Sequence, residues 1–307
     1  MISVVMPVYN SEKFLSSAIE SILNQSFSEF EFLIFNDAST DNSRQIINDY
    51  IKLDNRIKFH DSSINKGYSF WLNESLKYIN YNYLARMDAD DISDKFRFQK
   101  QYDFLKKNQE YSVVGSFIKI IDEKDHFIRK SKYPINDNEI KKYLNEFSTF
   151  AHPSTMINTS YLNKVGGYRT IFEPAEDYDL WIRLSKISKL KNIDEYLLNY
   201  RQHSSSVSLK RKEEQLLKTF FIKKNYEYIF NDQDLIEKFE ISKITKKLCQ
   251  KLFKDFNQNN SEIVFGIIYL EFLNKNFISF ILKLFPFVLK NPLYFYKRIK
   301  CYLKKNI

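Results

Sequence analysis

Glycine is scarce in this chain, with five residues in 307. They are too few and too scattered to spell G-x-G-x-x-G or G-x-x-x-x-G-K-[ST], so the usual dinucleotide cradle and the P-loop are both absent. A nucleotide would have to be held through carboxylates, a metal and backbone groups. Six prolines leave no room for collagenous or Pro-rich linker material. Two cysteines, Cys249 and Cys301, provide neither a metal-ligand cluster nor a disulfide framework, which suits a reducing cytoplasm. Long apolar runs are missing too. The opening MISVVMPVYN has no basic n-region and no extended apolar core, so no signal peptide is expected there. The most apolar stretch, Phe277 to Leu289, carries Lys283 and Pro286. At about 1.5 Å per residue it would reach roughly 20 Å, short of a ~30 Å hydrocarbon core.

What is present is a chain of 44% hydrophobic and 28% charged residues, enough for one large α/β domain with an appendage. The net charge of +9 is unevenly placed. Residues 1–210 carry 28 basic and 28 acidic side chains, whereas residues 211–307 carry 19 and 10. After Glu271 there are eight Lys/Arg and no acid. A nucleic-acid protein concentrates charge on its recognition domain, and the neutral front part argues against that class. The basic, aromatic-rich tail suits an anionic membrane surface. Two alternatives remain for it: a helical appendage with lysines in water, or a homodimer interface.

Apolar periodicity organises residues 1–208. Ile2–Val8 reads as a buried strand, Glu12–Leu23 as a helix capped by Asn10 or Ser11, and Phe30–Phe35 as a second strand. A helix through Tyr50 with Asp41 near its cap follows, then a strand at Ile57–His60, a helix at Phe70–Asn80 and a strand at Tyr83–Met87. This alternation predicts a mostly parallel sheet covered by helices. Further on, a helix is expected over Lys95–Asn108, two strands over Ser112–Ile121 and His126–Lys130, and another over Thr155–Asn158. A helix over Asp177–Ser188 and a last strand over Glu195–Tyr200 complete the front domain. Helices are expected over 212–230, 235–256 and 261–290, so the chain divides into residues 1–208 and a helical, basic 209–307.

In an open α/β sheet, ligands collect beyond the carboxyl ends of the strands. Asp37 and Asp41 stand at one such end; Asp88, Asp90 and Asp91 stand at another. Either group also reads as ordinary turn and cap chemistry. For the second, three carboxylates within four residues repel one another, which a divalent cation would relieve. Arg86 would bring positive charge beside them. A third knot is Glu173, Glu176, Asp177 and Asp179. It reads as first-turn acids, or as a general base at a helix entrance with an ordinary carboxyl pKa near ~4. His152 and His203 read as loop residues or as site residues, the latter closing over a bound ion.

Four ordered segments carry a resemblance: Ser3-Val4-Val5-Met6-Pro7-Val8-Tyr9-Asn10, Phe35-Asn36-Asp37-Ala38-Ser39-Thr40-Asp41, Ala85-Arg86-Met87-Asp88-Ala89-Asp90-Asp91, and Glu176-Asp177-Tyr178-Asp179-Leu180-Trp181. With them, residues 2 to about 208 resemble the inverting nucleotide-sugar glycosyltransferases of family 2, which have the GT-A fold. The resemblance implies that Pro7, Val8, Tyr9 and Asn10 border the nucleoside and that Asp37 takes a hydrogen bond from the base. It places Arg86 toward a phosphate, Asp88 near the ribose and ion, and Asp90 on the metal, Mn²⁺ or Mg²⁺. Asp177 becomes the catalytic base, with Glu176 shaping a sugar site. Trp181 is left between core packing and sugar contact. His152 lies near the acceptor pocket, and His203 faces the diphosphate or metal. The implied reaction joins a sugar, from a UDP-hexose or UDP-N-acetylhexosamine, to a hydroxyl of a glycan or lipid-linked saccharide. It would belong to bacterial lipopolysaccharide or capsule synthesis, at the inner face of the cytoplasmic membrane. Two other classes stay open: a metal-dependent phosphohydrolase or nucleotidyltransferase, and a non-catalytic carbohydrate-binding assembly protein.

Overall fold

Seven consecutive apolar or small side chains at the start of the chain have no solvent face, and they form a central strand. β1 (Ile2–Val8) is buried along its whole length in the computed structural model, which describes residues 1–204 and 206–224. The chain divides into a first unit, Met1–Ser206, and a second beginning at Val207.

β1 is followed by α1 (Leu15–Leu23), which seals one face of the sheet with Leu15, Ala18, Ile19 and Ile22, all fully buried. Each such side chain contributes roughly 1.5–3 kcal/mol, so a charge at Ile19 would detach the helix. Next come β2 (Phe30–Asp37), α2 (Ser43–Leu53), β3 (Ile57–Ser62), α3 (Tyr68–Ser75) and β4 (Tyr83–Arg86). β3, β2, β1 and β4 lie side by side and parallel, as the alternation predicts.

Beyond β4 the sheet becomes mixed. β5 (Ile92–Ser93), α4 (Arg97–Lys107), β6 (Tyr111–Ile121), β7 (Phe127–Ser131), α5 (Asp137–Leu144), β8 (Met156–Asn158), α6 (Thr159–Lys164), α7 (Glu176–Ile187) and β9 (Lys189–Arg201) complete the first unit. The order is β3-β2-β1-β4-β8-β6-β9-β5, with β7 paired to the side of β6. β8 is antiparallel to β4 and β6, whereas β9 runs parallel to β6 and antiparallel to β5. The pairing of β9 with β5 matters for function. It carries residues 201–203 back to the segment that follows β4.

Several boundaries differ from the sequence reading. α1 starts at Leu15 rather than Glu12, and no side chain caps it. The N–H groups of Ser11 and Glu12 are instead given to Ser43 Oγ (2.9 Å) and Asp41 Oδ2 (3.0 Å) of the neighbouring loop. β9 is longer than expected, and α5 and α6 were not anticipated. In the second unit α8 (Val207–Lys210) and α9 (Lys212–Lys224) agree with a helix from 212. The helices expected over 235–256 and 261–290, both cysteines and the apolar stretch from Phe277 lie outside the described residues. Among the described residues no helix is long and apolar enough to cross a membrane.

Candidate active site

Three parallel strands end on one edge of the sheet. Val8 of β1 lies beside Asn36 of β2, and Val5 lies beside Arg86 of β4, so the loops that follow open together. The first two loops are laced to each other. Asn10, in the left-handed region at φ 47°, donates its N–H to Ser39 Oγ (3.0 Å) and accepts from the Thr40 N–H (2.8 Å) at Oδ1. Asn is among the few residues that sit there easily. Pro7 and Val8 are buried, whereas Tyr9 is half exposed at 51%.

Asp37 is buried and already engaged by the chain. Its carboxylate accepts from the Lys66 N–H (2.7 Å), the Gly67 N–H (2.9 Å) and Trp71 Nε1 (2.7 Å). Gly67 opens α3 at φ 87°, a conformation that suits glycine, and its N–H there reaches Asp37. Asp37 thus ties the end of β2 to the start of α3.

The acids after β4 form the first half of the site. One carboxylate oxygen each from Asp88, Asp90 and Asp91 can be chosen so that all three lie within 4.8 Å of one another. Arg86, buried, ion-pairs with Asp88 at 2.5 Å, and His203 Nε2 lies 2.7 Å from Asp90 Oδ2. Asp91 is buried; its Oδ1 accepts the Arg201 N–H (2.8 Å), whereas Oδ2 has no hydrogen-bond partner among the described residues. Burial pushes the Asp88 carboxyl up against the pull of Arg86, with Asp90 adding to the rise. Asp91 is pushed much further by burial and by Asp90 and Asp88. Asp88 and Asp91, raised in this way and crowded against Asp90, are what a cation would relieve.

The second half is the first turn of α7. Buried Asp179 holds this turn in place by accepting from Arg183 Nε at 2.8 Å, four residues along the helix. Arg183 Nη1 in turn donates to the Val165 carbonyl (2.7 Å). Asp177 remains partly exposed. Burial pushes its carboxyl up to about 6, opposed by the Tyr178 N–H and the Arg86 guanidinium and assisted by Asp88. This corrects the expectation of an ordinary value near ~4. Because Arg86 and Asp88 both act on Asp177, acid cluster and helix entrance share one electrostatic neighbourhood.

Glu176 is buried, where the resemblance implied a residue shaping a sugar site. It is 2% exposed, accepts from Tyr68 Oη (2.8 Å), and lies 3.7 Å from His152 Nδ1. Burial, with Asp177 next to it, pushes its carboxyl up to about 8. His152 is buried as well, not a surface-loop residue. Its Nε2 meets Tyr168 Oη at 3.0 Å, and burial together with Arg86 holds it well below the usual histidine range. Trp181 is fully buried against Phe150 and His152, at 5.1 and 5.7 Å between ring centroids. It is core, and the sugar contact considered for it does not exist. Tyr68 was missed because nothing local marks a tyrosine that reaches another element. Asp91 was visible in the Asp-Ala-Asp-Asp run.

Known proteins resemble this chain in sequence and in fold. Residues 3–166 match the model of glycosyl transferase family 2. The chain is 40% identical over 210 residues to the O-antigen biosynthesis glycosyltransferase WbnJ of Escherichia coli, covering 67% of this chain and 81% of that protein. It is 30% identical over 328 residues to an uncharacterized glycosyltransferase of Haemophilus influenzae, covering 99% and 97%. Among solved structures, Staphylococcus aureus TarS 1–349 in complex with UDP-GlcNAc matches with a TM-score of 0.57 at 20% identity, over 75% of this chain and 70% of that one. The mannosyltransferase PcManGT from Pyrobaculum calidifontis, in complex with GDP-Man and Mn²⁺, matches with a TM-score of 0.55 at 11% identity, over 95% and 87%. These two likenesses concern the fold. Asp177 and His203 lie beyond residues 3–166.

Proposed function

The chain belongs to glycosyl transferase family 2, and from that premise we propose that it moves a sugar from a nucleoside diphosphate to a hydroxyl of a glycan or lipid-linked saccharide, with inversion. The observation that carries this reading is the shared electrostatic neighbourhood of Asp177 and the Asp88–Asp91 acids at one edge of the sheet.

The residues after β4 fit a divalent cation. They offer hard oxygen donors within 4.8 Å of one another, and Asp91 Oδ2 is a buried acceptor with no partner among the described residues. Asp88, Asp90 and Asp91 would hold Mg²⁺ or Mn²⁺, with His203 beside Asp90. Bound there, the ion supplies charge neutralisation for the departing nucleoside diphosphate. Tyr9 and the backbone of Pro7–Asn10 border the nucleoside, and Arg86 adds fixed positive charge. Asp37 supports this wall from within.

Asp177 is the base. With its carboxyl at about 6 it is ionised at neutral pH yet more basic than an ordinary aspartate, which favours proton acceptance in the transition state. The acceptor oxygen gives its proton to Asp177 and bonds to the anomeric carbon. The bond from that carbon to the diphosphate breaks on the opposite face, and its electron pair leaves with the phosphate. One displacement inverts the centre, so an α-linked donor gives a β-glycoside.

The relationship to an O-antigen enzyme supports a surface-polysaccharide acceptor, and structures of the same fold hold UDP, UDP-GlcNAc and GDP-Man. The basic excess after residue 210 supports peripheral binding to an anionic membrane. Greater co-sedimentation with phosphatidylglycerol vesicles than with phosphatidylcholine vesicles would bear that out, and equal binding would contradict it. The reaction is tested by screening UDP- and GDP-sugars with Mn²⁺ and analysing the product. A β-glycoside supports the transferase; free sugar phosphate identifies a hydrolase, and no turnover with any donor a binding protein.

A further inference from the structure

We propose that Arg201 is a positioning residue that holds the acids after β4 in cation-binding register, and that the turn between β6 and β7 acts with it by keeping its charge away from those acids. The inference rests on the cation site proposed above.

Arg201 ends β9 and is 2% exposed. Its backbone N–H donates to Asp91 Oδ1 (2.8 Å), and its Nε donates to the Asp90 carbonyl (2.7 Å). One residue therefore fixes both the side chain of Asp91 and the backbone of Asp90. His203, two residues on, meets the Asp90 carboxylate. The pairing of Ile92 and Ser93 with Asn199 and Leu198 sets the register that makes these contacts possible.

Arg201 differs from Arg86 in where its charge goes. Arg86 pairs directly with Asp88. The Arg201 guanidinium reaches no carboxylate of the cluster. Its Nη1 pairs with Asp125 at 2.5 Å, accompanied by the Asp122 carbonyl at 3.2 Å, and its Cζ lies 4.6 Å from the centroid of the Phe14 ring. A buried guanidinium needs a counter-charge. Asp125 supplies it from the turn, at 60% side-chain exposure. Arg201 can thus brace the acids without neutralising them, leaving their negative field for a cation. The turn is tied down by Glu123, which pairs with Lys13 and accepts from the Ser204 N–H at 3.5 Å. Asp125 lies outside the four segments that carry the resemblance. Its relevance comes from the ion pair alone.

The test is calorimetric titration of Mn²⁺ into the metal-free full-length protein. Arg201→Gln should weaken Mn²⁺ binding about ten-fold or more, the range seen when supports of metal ligands are removed. Asp125→Asn keeps the shape of an exposed turn residue at φ 67°, for which Asn is well suited, and removes only the charge. It should weaken Mn²⁺ several-fold in a protein that still folds, at a lower unfolding temperature because the buried guanidinium loses its counter-charge, and raise the Mn²⁺ needed for turnover while leaving kcat at saturating Mn²⁺ close to wild type. Asp49→Asn, which removes an exposed pair with Lys52 on α2, should change nothing. Should Arg201→Gln not fold, Asp125→Asn decides alone. Wild-type Mn²⁺ affinity in a folded Asp125→Asn protein would overturn the proposal while leaving the cation site intact. A wild-type protein that binds no Mn²⁺ would overturn the cation site, and this inference with it.

Discussion

Replacing Asp177 by Asn should make the protein more stable, by an amount that depends on pH. An aspartate carboxyl with an ordinary value of 3.8 is pushed up to about 6 by burial. The folded state therefore holds that proton more tightly than the unfolded chain does. At low pH both forms are protonated and nothing is lost. As pH rises from about 4 to about 6 the unfolded chain ionises first, and the folded state loses stability until its own carboxyl ionises. The accumulated cost is about 3 kcal/mol at pH 8 and about half that at pH 5. Asn keeps the size and polarity of the protonated acid without the charge, so Asp177→Asn should recover most of this cost. Urea unfolding of the metal-free protein at pH 5 and pH 8 reads the difference. The reasoning predicts a gain for the variant that is larger at pH 8. A variant no more stable than wild type at pH 8, or a gain that grows toward acid, would refute it.

Other expectations follow from the same groups. Transfer measured against pH at saturating donor should rise with a midpoint near 6 as Asp177 ionises; a rate independent of pH between 5 and 7 would remove Asp177 from the rate equation. Glu176, with its carboxyl at about 8, is neutral at pH 7, so Glu176→Gln should keep transfer within about three-fold there. A loss beyond about a hundred-fold would mean that the ionised form is used. Trp181→Ala opens a cavity in a packed core and should cost about 3–5 kcal/mol in urea unfolding; a cost below about 1 kcal/mol would contradict the burial of that ring.

Much of the parallel half was legible because β1 and β2 are buried on both faces, and such strands read as unbroken apolar runs. The acids were legible for a related reason. They stand at strand ends, where polar residues interrupt those runs. α5 escaped notice because only Ile140 and Leu144 are buried in it, too few for a helical period to register. The contacts that tune the site were not readable at all. Tyr68 meets Glu176 across 108 positions and Arg201 meets Asp91 across 110, and no local pattern encodes such pairs. The raised carboxyl of Asp177 has the same origin, since its burial comes from elements distant in the chain. Trp181, one turn beyond Asp177 on α7, faces the core rather than the site, which the helical period alone left open.

Donor binding and sugar transfer by the Asp177→Asn protein, measured side by side with Mn²⁺ and a turned-over nucleotide sugar, separate the base from the rest of the site. Transfer should fall by at least a thousand-fold while the donor dissociation constant stays within about three-fold of wild type. Transfer at a rate comparable to wild type would contradict the assignment of Asp177 as the group that takes the acceptor's proton.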